Sequence, residues 1–231
     1  MDEMAYFLLE GGAEFGGRMS EPDLRAIELA GGIQASIAIL PTAAAPDQNH
    51  LRAGRNGQRW FESLGASRVD VLPVTDKPSA DNPDFAARVE SARLIYLLGG
   101  FPRYLCETLR DSRVWLAALE AHRDGALIAG SSAGAMVLCE HYYDPYEGKL
   151  LQGLNLLENI CILPHHNRSG KNWASKLRSL IPQAILLGID EQTGMINDAS
   201  DGAWTVYGAG VVTLYRGEQI EVRARGEQFR L

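Results

Sequence analysis

Short, nearly unbroken apolar runs alternate with longer amphipathic stretches through most of this chain, and nothing else constrains its fold as tightly. "AYFLLE", "ASIAILP", "RVDVLPV", "LIYLLGG" and "ALIAGS" read as strands. Between the first two, "EPDLRAIELAGG" sets Leu24, Ile27 and Leu29 at helical spacing and stops at a double glycine. Further helices are predicted over residues 51–64, 82–92 and 103–122. Strands that are apolar without alternation are strands covered on both faces. Strand–helix alternation of this kind builds a mainly parallel sheet between helical layers. After Ser200 the pattern changes: "AWTVYG", "GVVTLYRG" and "QIEVRA" are separated by glycine-bearing turns and read as antiparallel edge strands. "PVTDKPSADNP" reads as a surface loop. No internal repeat or linker interrupts the pattern. Residues 1–231 are therefore read as one three-layer α/β domain.

A chain of 231 residues, 46% hydrophobic, can bury a sizeable core without staples. The net charge of −7 argues against a nucleic-acid binder and against docking on anionic membrane. No apolar run reaches membrane-spanning length, and the start "MDEMAYFLLEGG" is too acidic, and its apolar run too short, for a signal peptide. Cys106, Cys139 and Cys161 are odd in number, widely spaced and without CxxC. They read as reduced thiols, which makes a soluble, cytoplasmic protein the expectation.

One stretch carries chemistry. In "ALIAGSSAGAMVLCE", Gly130-Ser131-Ser132-Ala133-Gly134 matches G-x-S-x-G with Ser132 at its centre. A strand precedes and a helical pattern follows. A nucleophile exposed between a strand and a helix sits on a strained turn, so the residues flanking it must be small. Backbone N–H groups at the start of the next helix can hold a developing oxyanion. Such a serine needs a base, and the base needs a carboxylate. Among five histidines, His50 and His122 read as surface residues and His141 as structural. His165 and His166 end the apolar run "NICILPHH" and would lie, like Ser132, at the carboxyl edge of the sheet, where sites form. Neighbours on extended chain point opposite ways, so at most one of the two faces the serine. Asp144, Asp190 and Glu191 are the candidate acids, the last two ending "AILLGIDEQTG". No ligand set has metal spacing. "EGGAEFGG" lacks the spacing of a dinucleotide loop, and a tight turn explains its glycines. No cofactor is called for.

These residues resemble peptidase family S51, the family of peptidase E and cyanophycinase. The nucleophile motif G-x-S-A-G-A is present at residues 130–135. "LLEGGAE", "AILPTAAA", "IYLLGG", "GLNLLENICILPHH" and "LLGIDEQTG" resemble further family segments, so that almost the whole chain is covered. The resemblance implies a flavodoxin-like, glutaminase-like fold and a serine peptidase of exopeptidase or dipeptidase type. It makes Ser132 the nucleophile, His165 the general base and Glu191 the third member, with Asp144 as the alternative acid. It places the oxyanion hole at the backbone N–H groups of Ala133 and Gly100, with Gly99 beside them. It implies a small peptide substrate, aspartyl peptides among them, and a homodimer as candidate assembly. Phe101 and Arg103 stand in "GGFPR", where the family carries polar residues that read substrate. The arginine cluster that follows the histidine in cyanophycinase is thinned here to Arg168 and Lys171. Arg103, Arg168 and Lys171 are the candidate partners for a substrate carboxylate. Two other readings accompany the peptidase: an amide or ester hydrolase acting on a non-peptide metabolite, and a non-catalytic ligand-binding member of the same fold.

Overall fold

The computed structural model describes residues 6–231. Its strands are β1 (Phe7–Glu10), β2 (Ser36–Leu40), β3 (Arg68–Val71), β4 (Leu94–Leu97), β5 (Leu127–Ser131), β6 (His141–Asp144), β7 (Lys149–Gln152), β8 (Ile160–Leu163), β9 (Ile185–Ile189), β10 (Thr193–Ile196), β11 (Trp204–Gly208), β12 (Val211–Arg216), β13 (Gln219–Ala224) and β14 (Gln228–Phe229). Its helices are α1 (Ser20–Leu29), α2 (His50–Ser63), α3 (Lys77–Ala80), α4 (Pro83–Glu90), α5 (Pro102–Leu109), α6 (Arg113–Arg123), α7 (Ala133–Leu138) and α8 (Ala174–Leu180). The first residue of the "AYFLLE" run, Ala5, lies outside the described residues.

An eight-stranded sheet runs in the order β3-β2-β4-β5-β1-β10-β11-β14. Its β3-β2-β4-β5-β1 part is parallel, and β10, β11 and β14 continue it antiparallel. The unbroken apolar runs follow from burial on both faces. Ile37 and Ile39 of β2 pack in a cluster with Ile27 of α1 and Phe61 of α2. Ala38 and Leu40, between and after them, belong to a second cluster with Leu105 of α5 and Val114 of α6. Ile39, Leu40 and Phe61 are wholly buried. Each such side chain contributes about 1.5–3 kcal/mol relative to exposure.

Four readings need correction. The carboxy-terminal strands do not all extend the main sheet. β12 and β13 join β9 and β8 in a separate four-stranded sheet, order β13-β12-β9-β8, in which β8 and β9 are parallel. The helix read over 103–122 is two, because Asp111 turns at φ 56° and the Ser112 side chain then caps α6 by accepting the Trp115 N–H. The loop read in 73–83 contains α3, closed by a capping box between Asp76 and Ser79. His122 is also buried rather than on the surface, with Nδ1 2.8 Å from the Ala126 carbonyl. No helix among the described residues is long and apolar enough to cross a membrane.

Candidate active site

Ser132 leaves the end of β5 and precedes α7 with φ 49° and ψ −111°. For a residue carrying a Cβ, that backbone is strained by about 1–3 kcal/mol. The flanking glycines are required by contact. A Cβ on Gly134 would lie 2.1 Å from the Leu97 carbonyl oxygen, and one on Gly130 would lie 2.5 Å from the Gly134 carbonyl carbon. The corner can be this tight only because both positions lack a side chain. The N–H groups of Gly100 and of Ala133, the first residue of α7, make no hydrogen bond among the described residues.

His165 and Glu191 come from the second sheet. β8 and β9 run side by side with Leu163 opposite Gly188 and end together. His165 stands two residues past the first strand and Glu191 two past the second. Ser132 Oγ lies 2.9 Å from His165 Nε2, and His165 Nδ1 lies 2.9 Å from Glu191 Oε1. With Nδ1–H donated to the carboxylate, Nε2 is left to accept from the serine hydroxyl. The far oxygen, Glu191 Oε2, accepts from Arg168 Nε at 2.7 Å, while the Glu191 N–H donates to Asn167 Oδ1 at 3.1 Å. The Glu191 carboxyl is thus fixed in rotation as well as in place.

Three consecutive carbonyls join these segments. Glu10 O accepts the Ser132 N–H at 3.0 Å, Gly11 O accepts the His165 N–H at 2.7 Å, and Gly12 O accepts the Gln192 N–H at 3.0 Å. The double glycine after β1 is therefore the seam between the two sheets. His165 is itself left-handed, at φ 49°.

The other candidates are placed elsewhere. His166 points away from Ser132: Nε2 lies 2.8 Å from the Tyr215 hydroxyl and Nδ1 3.6 Å from Asp190 Oδ1. Burial pushes its pKa down. Asp190 Oδ2 accepts the Val211 N–H at 3.1 Å. Asp144 does not orient His165. It is buried in the β6–β7 hairpin, where Oδ1 accepts from the Tyr146 N–H at 2.8 Å and the Glu147 N–H at 3.4 Å. Arg103 is taken up by Glu107, 2.7 Å from Nε, and by Glu147. Arg168 is taken up by Glu191, and Lys171 is exposed on the turn that follows. Phe101 stacks on Tyr146 with centroids 4.8 Å apart.

A cleft of about 440 Å³ opens over Ser132, His165 and Gly100. A larger hollow, about 670 Å³, lies between Glu14 and α2 and contains no member of the Ser132–His165–Glu191 set. Sequence reasoning missed what lies beneath the corner. Ser131 Oγ donates to Glu14 Oε2 at 2.9 Å. Glu10 and Asp23 are both 0% exposed, and each keeps one carboxyl oxygen without a partner. Tyr96 donates its hydroxyl to Glu10, and Trp60 Nε1 donates to Asp23 Oδ2 at 2.7 Å. The one signal for Glu10 is its place at the inner end of an otherwise apolar strand. Among the described residues no group of His, Cys, Asp or Glu is gathered so as to hold a metal ion.

Known proteins share this arrangement's frame. A peptidase from an acI-B1 actinobacterium superposes with a TM-score of 0.89 at 30% identity, covering 100% of this chain and 98% of its own. The cyanophycinase of Geminocystis herdmanii is 28% identical over 231 residues, covering 95% of this chain and 84% of that protein. The cyanophycinase of Trichormus variabilis is 29% identical over 196 residues, or 80% of this chain; the match spans 64% of that relative's length. The family model for peptidase family S51 matches residues 7–200, which carry the corner, both strands of the β8–β9 pair and the seam between the sheets. The chain belongs to peptidase family S51.

Proposed function

We propose that this chain is a serine hydrolase cleaving short peptides, of exopeptidase or dipeptidase type, through an acyl-enzyme. The observation that carries the reading is the unbroken line from Ser132 Oγ through the His165 ring to Glu191, with both links at 2.9 Å. His165 Nε2 takes the hydroxyl proton as Ser132 Oγ attacks the carbonyl carbon. Glu191 holds the ring in the tautomer that accepts this proton and stabilises the resulting imidazolium. The N–H groups of Gly100 and Ala133, which make no hydrogen bond among the described residues, receive the oxyanion. His165 returns the proton to the leaving amine, and a water activated by the same nitrogen releases the acyl group.

The reading is tested with a pooled library of dipeptides and tripeptides, α- and β-aspartyl ones included, followed by mass spectrometry. Ser132→Ala should lose at least ~10⁴-fold in turnover while keeping its thermal unfolding midpoint. Hydrolysis that continues unchanged in this variant would refute the reading. An intact relay supports turnover over the non-catalytic reading, which predicts that Ser132 fails to react with a fluorophosphonate.

A further inference from the structure

The cleft over Ser132 has almost nothing with which to recognise a charge. Its walls are Pro102, Met136, Pro145, Tyr146, Pro164 and Trp173, joined among the described residues by Ser132, His165 and Ser169. Among the described residues, no arginine, lysine, aspartate or glutamate lines it. Of the cations nearby, Arg103 is held by Glu107 and Glu147 and Arg168 by Glu191, while Lys171 is exposed to water and is not part of the lining. The adjoining hollow, about 310 Å³, shares Pro102 and Tyr146 with the cleft and lies against the Phe101–Tyr146 stack. Its charged lining is Arg103 with Glu107, Asp144 and Glu147, an excess of carboxylates. A carboxylate entering either space gives up water and meets no cation in the lining except Arg103, already paired with Glu107 and Glu147, and a desolvated, unpaired charge is costly.

Resting on the hydrolase reading, we propose that the residue whose carbonyl Ser132 attacks carries an apolar or aromatic side chain, and that an aspartyl residue is disfavoured there. That side chain begins two bonds from the attacked carbon. The carbonyl must sit between Ser132 Oγ and the Gly100 N–H, so the side chain starts inside this same cleft. Proline, methionine and aromatic surfaces recognise it by exclusion of water and by ring contact. Tyr146 is the specificity residue most open to test. It is 65% exposed, so it serves the cleft rather than the core.

The experiment uses the intact chain and two readouts. Dipeptides that differ only in the attacked residue (Phe, Leu, Ala, Asp or Arg) give kcat/KM, each with Ser132→Ala as blank. Diphenyl α-aminophosphonates bearing a phenylalanine-type or aspartate-type side chain give labelling rates at Ser132 and need no turnover. Phe and Leu should exceed Asp by about 10- to 100-fold in either readout. Tyr146→Ala should lower kcat/KM for the Phe substrate about 10-fold more than for the Ala substrate, chiefly through KM, and Tyr146→Phe should restore it. Ser132-dependent cleavage or labelling that favours Asp overturns the proposal and leaves the hydrolase reading standing. If neither the phosphonates nor a fluorophosphonate modifies Ser132, the hydrolase reading fails and takes the proposal with it.

Discussion

Asp23→Asn should flatten the pH dependence of stability on the acid side of neutrality. Asp23 lies wholly buried beneath the serine corner, close to Glu10 and Glu14. Burial above all, and secondarily the Glu14 charge, push its pKa from 3.8 up to about 7, against the Trp60 hydrogen bond that lowers it. Burial, then the Asp23 charge, raise Glu10 well above the usual carboxylate range. The folded protein therefore keeps a proton on Asp23 that the unfolded chain releases near pH 4. This contribution is fully present below about pH 4 and is lost as pH climbs to about 7. The gap of about three pH units, at ~1.4 kcal/mol each, amounts to about 4 kcal/mol. Inside that window the slope is ~1.4 kcal/mol per pH unit, or about 3–6 °C in unfolding midpoint for a chain of this size. Asparagine keeps an oxygen for the Trp60 indole but has no proton to lose.

His122 and His166 act in the opposite sense. Burial pushes both pKa values down, so they cost stability as pH falls below ~6.5. Both are retained in the variant, so their contribution cancels, and the difference between the two curves reports Asp23 together with the part of the Glu10 shift that the Asp23 charge causes. Thermal unfolding followed by circular dichroism across about pH 4.5–8 gives both curves. Parallel curves would mean that Asp23 is ionised in the folded protein throughout, and the argument from burial would be wrong.

Two further substitutions test the site. Glu191→Gln keeps the shape but can offer an amide to His165 Nδ1, which favours the tautomer unable to accept from Ser132; kcat should fall about 10²–10⁴-fold with the unfolding midpoint kept, and a loss under about threefold would deny Glu191 its orienting role. Gly12→Ala puts a Cβ 2.3 Å from His165 Cε1 at a backbone φ of 103°, so kcat should drop at least ~10-fold and stability by about 1–3 kcal/mol. Wild-type kinetics in that variant would show that the imidazole does not depend on the seam.

The central strands were legible because burial on both faces leaves a mark that does not depend on partners. Ile37 to Leu40 read as strand whichever helices cover them. The same mark misassigned β8 and β9, since an apolar run reports burial and not the sheet in which a strand is paired; that choice is set by contacts distant in sequence. Helical periodicity likewise carried across Asp111, where one left-handed residue and a serine cap divide α5 from α6. At the site, Ser132 was legible because sterics dictate its neighbours. The choice among Asp144, Asp190 and Glu191 was not, because all three end or follow apolar runs and only register decides which carboxylate meets the His165 ring.

Register alone does not explain why two sheets meet with sub-ångström demands at one point. Successive carbonyls of an extended chain point to opposite sides. The end of β1 exploits this: Glu10 O turns towards the segment after β5, while Gly11 O turns towards the segment after β8. One short stretch thereby fixes Ser132 and His165 from opposite sides, and Gly12 O adds Gln192, the residue beside Glu191. The approach is so close that a Cβ on Gly11 would meet the Asp190 carbonyl oxygen at 2.1 Å, and one on Gly12 would enter the His165 ring. The "EGG" that ends the first strand is thus as much a requirement of the site as the "GSSAG" that forms its corner. It contributes no side chain to the chemistry, so it shows only where the two sheets are seen together.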